Sequence, residues 1–228
     1  MRAIHERYSR SRTGKLDDRP ACQKRPAGRG DAKLRRQPDR TSAAAPAKEA
    51  RAFLSDKLVA LDRDKAEFCY QLCRANDARR IVEIGTSYGV STLYLAAAVR
   101  DNVDAAGGNG VVIGTEYEAS KASAARAHFE QAGLSRFIDL REGDLRQTLR
   151  QIDGPVDFML VDIWITMARP ALELVTPHLR SGAIVISDNT ERYRSEYADY
   201  LAFLDAHGFR TMTLPFDGGL EMSVLCRH

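Results

Sequence analysis

Residues 81–91 read Ile-Val-Glu-Ile-Gly-Thr-Ser-Tyr-Gly-Val-Ser, and they constrain the fold more than any other stretch. Ile81 to Ile84 is a short β-branched run of the kind that forms a buried strand. It carries one acid, Glu83, and passes into a Gly85-x-x-x-Gly89 turn. The apolar and alanine-rich run Val90 to Val99 then predicts a helix. A strand, a tight glycine turn and a helix bring backbone N–H groups and a helix N-terminus to one point, where a ligand can approach. The bland alternative is an ordinary strand-to-helix turn of an α/β protein. Glu83 weighs against it, and against a dinucleotide site, because a carboxylate at a strand tip repels pyrophosphate. The third glycine of G-x-G-x-x-G is also missing.

The rest of the chain repeats the alternation. Further strands are expected at Val111–Glu116, Phe137–Leu140, Val156–Val161 and Ala183–Ser187, each followed by a helix: Ala119–Gln131, Leu145–Ile152, Ala168–Leu179 and Tyr193–His207. Asp101–Gly110 reads as a polar, glycine-rich loop, and Ser181-Gly182 as a helix stop. Two last strands, Phe209–Phe216 and Leu220–Cys226, flank Asp217-Gly218-Gly219, a tight hairpin signal. The pattern predicts an α/β fold with a mostly parallel sheet covered on both faces and an antiparallel hairpin at its end.

In such a sheet, ligands bind outside the carboxyl ends of the strands. Five successive strands end in or near a polar residue: Glu83, Glu116, Asp144, Asp162 and Asp188-Asn189. One such residue is commonly a cap; five on one rim suggest a site. Glu116 is placed to accept both hydroxyls of a ribose. Asp162, Asp188 and Asn189 offer three oxygen ligands from adjacent strand ends, which suits a hard divalent cation. The plain alternative for Asp188-Asn189 is a cap for the next helix.

Glu83-Ile-Gly-Thr-Ser-Tyr-Gly-Val-Ser91 resembles the first motif of class I S-adenosylmethionine (SAM)-dependent methyltransferases, and most closely that of the catechol O-methyltransferase family. The resemblance covers about residues 50–228 and implies a seven-stranded, doubly wound, Rossmann-like fold. It implies that Gly85, Ser87 and Gly89 approach the methionine half of SAM, and that Ser91 bonds its carboxylate. Glu116 would hold the ribose, Tyr117 would lie against the adenine, and Asp144 would sit near the adenine amino group. Asp162-Ile163-Trp164 and Asp188-Asn189 resemble the family's Asp-x-Trp and Asp-Asn, which supply Mg²⁺ ligands, and Trp164 matches the tryptophan that walls the acceptor pocket. One position departs. The family places a lysine base after the tryptophan, and here that residue is Ile165. The next basic residue, Arg169, cannot deprotonate.

Charge decides between partners. Residues 1–47 hold 13 Lys and Arg against 5 Asp and Glu, a net of +8, so the overall +3 leaves residues 48–228 at −5. The first 47 residues lack apolar periodicity and are expected to be a disordered basic tail, with no signal-peptide core. Residues 48–228 are expected to be the methyltransferase domain, beginning with helices that carry Phe53, Leu54, Leu58, Leu61, Phe68, Leu72 and Cys73 and stop at Asn76-Asp77. No apolar run approaches a membrane span. Four cysteines without a C-x-x-C pair suggest reduced thiols in a cytoplasmic protein.

The sequence therefore predicts a SAM-dependent O-methyltransferase, with Mg²⁺, acting on a small hydroxylated acceptor, and leaves a homodimer open. A nucleic-acid methyltransferase is one alternative, disfavoured by the net acidic domain. A SAM-binding protein without catalysis is the other, suggested by Ile165.

Overall fold

The β-branched and apolar runs at 81–84, 112–116, 158–161 and 183–188 form strands buried on both faces, the state such runs need to remove their side chains from water. A computed structural model describes residues 60–226. The tail expected over 1–47, Phe53, Leu54 and Leu58 lie outside the described residues. In chain order the elements are α1 (Arg63–Ala75), β1 (Arg80–Ile84), α2 (Val90–Ala106), β2 (Val111–Glu116), α3 (Ala119–Gln131), β3 (Ile138–Glu142), α4 (Leu145–Thr148), β4 (Val156–Val161), α5 (Ile165–Val175), β5 (Leu179–Asp188), α6 (Ala198–Ala206), β6 (Phe209–Leu214) and β7 (Leu220–Leu225).

The seven strands form one sheet in the order β3-β2-β1-β4-β5-β7-β6. The pairs among β1 to β5 are parallel, and β7 runs antiparallel between β5 and β6. This is the mostly parallel sheet with a closing antiparallel hairpin that the alternation predicts. Successive side chains of a strand point to opposite faces. Val82 and Ile84 pack with Leu145, Leu149, Leu172, Tyr200 and Leu204 in one core layer. Glu83, between them, reaches the other face and meets α2.

Register sets the rim. Ile84 pairs with Thr115 on β2 and Val161 on β4, and Val161 pairs with Ser187 on β5. The next residue of each strand is therefore Gly85, Glu116, Asp162 and Asp188, brought side by side. The strand order reverses direction at β1, with β2 on one side and β4 on the other, which is where an open α/β sheet leaves a crevice.

Several boundaries differ from the sequence reading. The stretch expected as a loop from Asp101 is helical to Ala106. Its polar residues serve α1: Tyr70 donates to Asp101 Oδ2 at 2.6 Å, and buried Asn102 donates to the carbonyls of Cys73 and Ala78 at 3.0 and 2.8 Å. Helix α4 stops at Thr148 rather than Ile152. Helix α5 starts at Ile165, and Ser181-Gly182 lies inside β5, where the register shifts between Val156 and Phe158. A bulge absorbs the residues that look like a helix stop. The last helix starts at Ala198 rather than Tyr193. The segment before it is held by the hairpin, with Asn189 N donating to Gly219 O and Glu191 N and Arg192 N to Gly218 O.

Candidate active site at the carboxyl rim of the sheet

The glycine turn after β1 is held from beneath by Glu83. This carboxylate is fully buried and accepts from Thr86 Oγ1 at 2.9 Å, from Ser91 Oγ at 2.6 Å and from Thr92 Oγ1. Burial pushes its pKa up, and the three hydroxyl donors oppose that. Glu83 and Ser91, both expected at the cofactor, thus bond to each other and fix the turn.

Two glycines of the turn are required by sterics. A Cβ on Gly85 (φ +96°) would stand 2.0 Å from the Asp162 carbonyl oxygen, and one on Gly89 (φ +84°) 2.4 Å from the Phe129 ring. Between them Ser87 adopts φ +50°, a left-handed conformation seldom taken by non-glycine residues. Its backbone N–H donates to Glu116 Oε2 at 2.7 Å, while the other oxygen of Glu116 accepts from Glu118 N at 2.7 Å. Ser87 Oγ is buried with no hydrogen-bond partner among the described residues. An orphaned hydroxyl beside a buried acid and two compulsory glycines is a cradle suited to a polar ligand, and it fits the hydroxyl- and amine-bearing SAM.

Farther along the rim, Tyr117 is 56% exposed. Asp144 caps α4 by accepting from Arg146 N at 2.9 Å, and Arg146 Nη2 approaches its Oδ2 at 2.5 Å. Asp144 is thus already engaged by its own helix.

On the other side of the turn stand Asp162, Asp188 and Asn189. Asp162 is tied to the sheet by its N–H, which donates to Ile84 O at 3.0 Å. Its carboxyl is pushed up to about 7 by burial and by the charges of Asp188 and Glu83, with Lys65 opposing. Asp188 is buried, and its Oδ1 accepts from Lys65 Nζ at 2.6 Å and its Oδ2 from Asn189 Nδ2 at 2.7 Å. Asn189 takes φ +60°, and its Oδ1 faces Gly218, where a Cβ would come within 2.7 Å. Among the described residues no three Asp, Glu, His or Cys side chains gather as a metal cluster. The set here is two carboxylates and one amide, a hard-oxygen donor set of the type that holds Mg²⁺ or Ca²⁺. Burial first, and then the neighbouring charges of Asp188 and Glu83, work against ionised Asp162, and a cation would relieve both, so these residues fit a divalent ion. Trp164, half-exposed, caps α5 beside them, and Ile165 packs against the core. Arg169 is turned away, donating to Glu173 at 2.7 Å and to Asp199 O at 2.9 Å.

Lys65 and Glu221 are buried charges that escape the sequence reading. Lys65 is 1% exposed, and its pKa stays raised because Asp188 and Asp62 outweigh the opposing effect of burial. Its signal is spacing: Lys65, Cys69 and Cys73 recur every four residues, so the lysine lies on the buried stripe of α1. Glu221 is 2% exposed on β7 opposite Ser187, and accepts from Thr213 Oγ1 at 2.7 Å. An acid between Leu220 and Met222 in a central strand is its only mark in the sequence.

Known proteins resemble the chain in sequence and in fold. Residues 82–190 match the family model of a methyltransferase domain. A catechol O-methyltransferase of Mycobacterium tuberculosis is 30% identical over 135 residues, 59% of this chain and 58% of that protein. One of Niastella koreensis is 27% identical over 142 residues, 59% of each. The chain spans less than two thirds of the length of either relative. An O-methyltransferase of Bacillus cereus, solved in complex with SAH, superposes with a TM-score of 0.67 at 22% identity, covering 78% of this chain and 88% of that one. The fold is that of the class I methyltransferases. Residues 82–190 thus carry the sequence pattern of a methyltransferase domain, on a fold shared with solved O-methyltransferases.

Proposed function

We propose that the protein transfers a methyl group from SAM to a hydroxyl of a small, catechol-like acceptor, with Mg²⁺ held by Asp162, Asp188 and Asn189. The observation that carries this is the juxtaposition of two sites on one rim: the turn bearing orphaned Ser87 and Glu116, and the oxygen set after β4 and β5. The names of the catechol O-methyltransferase relatives support the acceptor class. SAM supplies an electrophilic methyl, and a divalent cation lowers the pKa of an acceptor hydroxyl.

The chain's own residues place the reactants, which is the main source of acceleration in such a transfer. Glu116 has lone pairs left for ribose hydroxyls after accepting from Ser87 and Glu118. Gly85 and Gly89 keep Cβ atoms out of the turn. Trp164 offers a flat wall to the acceptor. The acceptor oxygen bonds to the methyl as the carbon–sulfur bond breaks, giving an O-methyl product and S-adenosylhomocysteine. The hydroxyl proton passes to solvent, because Ile165 offers no base and Arg169 is engaged elsewhere.

The absence of a high-affinity base at position 165 sets the test. A positioned general base contributes about 10²–10⁴-fold, so turnover of simple catechols is expected to be slow near neutrality and to rise with pH. Chelator should stop it and Mg²⁺ restore it. Fast neutral turnover indifferent to chelator ends the metal reading. SAM binding without turnover on any catechol, at any pH, favours a non-catalytic binder instead. Among the described residues no helix is long and apolar enough to cross a membrane, and Cys69, Cys73 and Cys226 are free thiols, which supports a cytoplasmic setting.

A further inference from the structure

Lys65 is a buried cation at this rim that the proposed reaction does not use. It comes from α1, 123 residues away from its partner Asp188 in sequence, and its Nζ lies 2.6 Å from Asp188 Oδ1. A second acid, Asp62, approaches at 3.5 Å but is largely exposed. Both members of the Lys65–Asp188 pair are nearly sequestered, with 2% and 7% of their side chains exposed.

Stability alone is a poor reason for such a pair, since desolvating two charges commonly cancels their attraction and an apolar pair of like volume serves as well. The placement gives a better reason. The neighbours of Lys65 on the buried stripe of α1 are Ala66, Cys69 and Cys73, so the helix carries one charge inward and carries it at the ligand end of β5. There the ammonium holds Oδ1 of Asp188 while the Asn189 amide holds Oδ2. Two donors, one on each oxygen, fix the plane of the carboxylate. Each oxygen keeps a further lone pair for a ligand.

We propose that Lys65 is a positioning residue: it holds the Asp188 carboxylate in the orientation that binds a divalent cation beside Asp162 and Asn189. This rests on the reading of those three residues as cation ligands. Two effects of removing the lysine oppose each other. Loss of a repelling charge favours the cation, and loss of orientation disfavours it. Partners that orient metal ligands from behind are typically worth about 10–100-fold in metal affinity, so orientation is expected to win.

The test is Mn²⁺ binding to the full chain, followed by electron paramagnetic resonance, with S-adenosylhomocysteine affinity measured by calorimetry as a control for the fold. Lys65→Met is expected to weaken Mn²⁺ by about 10–100-fold, with S-adenosylhomocysteine affinity unchanged. Lys65→Arg, which keeps a cationic donor, should restore most of the loss. Lys65→Gln, which keeps a polar tip without charge, is measured in parallel in case the Met variant unfolds, and the same weakening is expected of it. Unchanged or tighter Mn²⁺ binding in a variant that still binds S-adenosylhomocysteine overturns the positioning role alone. A parent protein that binds S-adenosylhomocysteine but no Mn²⁺ overturns the cation reading and this inference together.

Discussion

Gly85 shows how far one hydrogen atom matters. Its φ of +96° and the 2.0 Å approach of the Asp162 carbonyl leave no room for a methyl group, and the obstructing atom is backbone that cannot swing aside. Gly85→Ala is expected to lose at least about 2 kcal/mol from backbone strain and overpacking together. Denaturant unfolding checks this, and a variant as stable as the parent would show that the turn is looser than its geometry. Glu116 is the complementary case. It satisfies two backbone N–H groups and still faces the turn. Glu116→Ala should weaken SAM binding by about 1.5–3 kcal/mol, the usual worth of hydrogen bonds to a charged group. Calorimetry showing parental affinity would remove Glu116 from the cofactor site. Glu83 reads the same way in sequence as Glu116, as an acid at a strand end, yet it spends its hydrogen bonds within the turn, on Thr86, Ser91 and Thr92. Periodicity cannot separate the two cases, because it reports which residues share a face and not which atoms meet.

The pairing of α1 with α2 is the element-scale result that the sequence hides. Asp101 and Asn102 look like loop residues, but each closes a hydrogen bond onto α1 or its end. Burial works against ionisation of Asp101, yet the Tyr70 hydroxyl and the Arg100 guanidinium outweigh it and hold the carboxyl below its ordinary value. A carboxyl with a depressed pKa stabilises the fold at pH above its unfolded value of 3.8 and loses that contribution as pH falls through the depressed one. Tyr70→Phe is therefore expected to cost about 0.5–1.5 kcal/mol near neutral pH, with the gap from the parent narrowing below pH 3.8. A gap that stays constant across that range would assign the cost to packing rather than to the bond. The helix pair also delivers Lys65 to the rim, so α1 belongs to the site as much as the five strand ends do.

At the scale of the molecule, the sheet gathers residues far apart in sequence because parallel register aligns the residues at or just past the strand ends. The stretch 1–47 contributes charge of the opposite sign to the rest of the chain. Its composition offers little apolar surface for a core, so a chain starting at residue 48 should keep its thermal midpoint and its SAM affinity. A large fall in the midpoint would show that these residues pack on the domain or bridge two copies.

The sequence by itself determined the strand and helix succession, the glycine turn and the acids at the strand ends, because these follow from local periodicity and backbone sterics. The Val156–Val161 and Ala183–Ser187 runs are legible as core strands for the same reason. The tertiary structure alone decided which polar groups meet. The bulge in β5, the hairpin bonds that delay α6 to Ala198, and the approach of Lys65 to Asp188 all depend on long-range contacts. A hydrogen bond is fixed by a few ångströms in space, and separation along the chain carries no record of it.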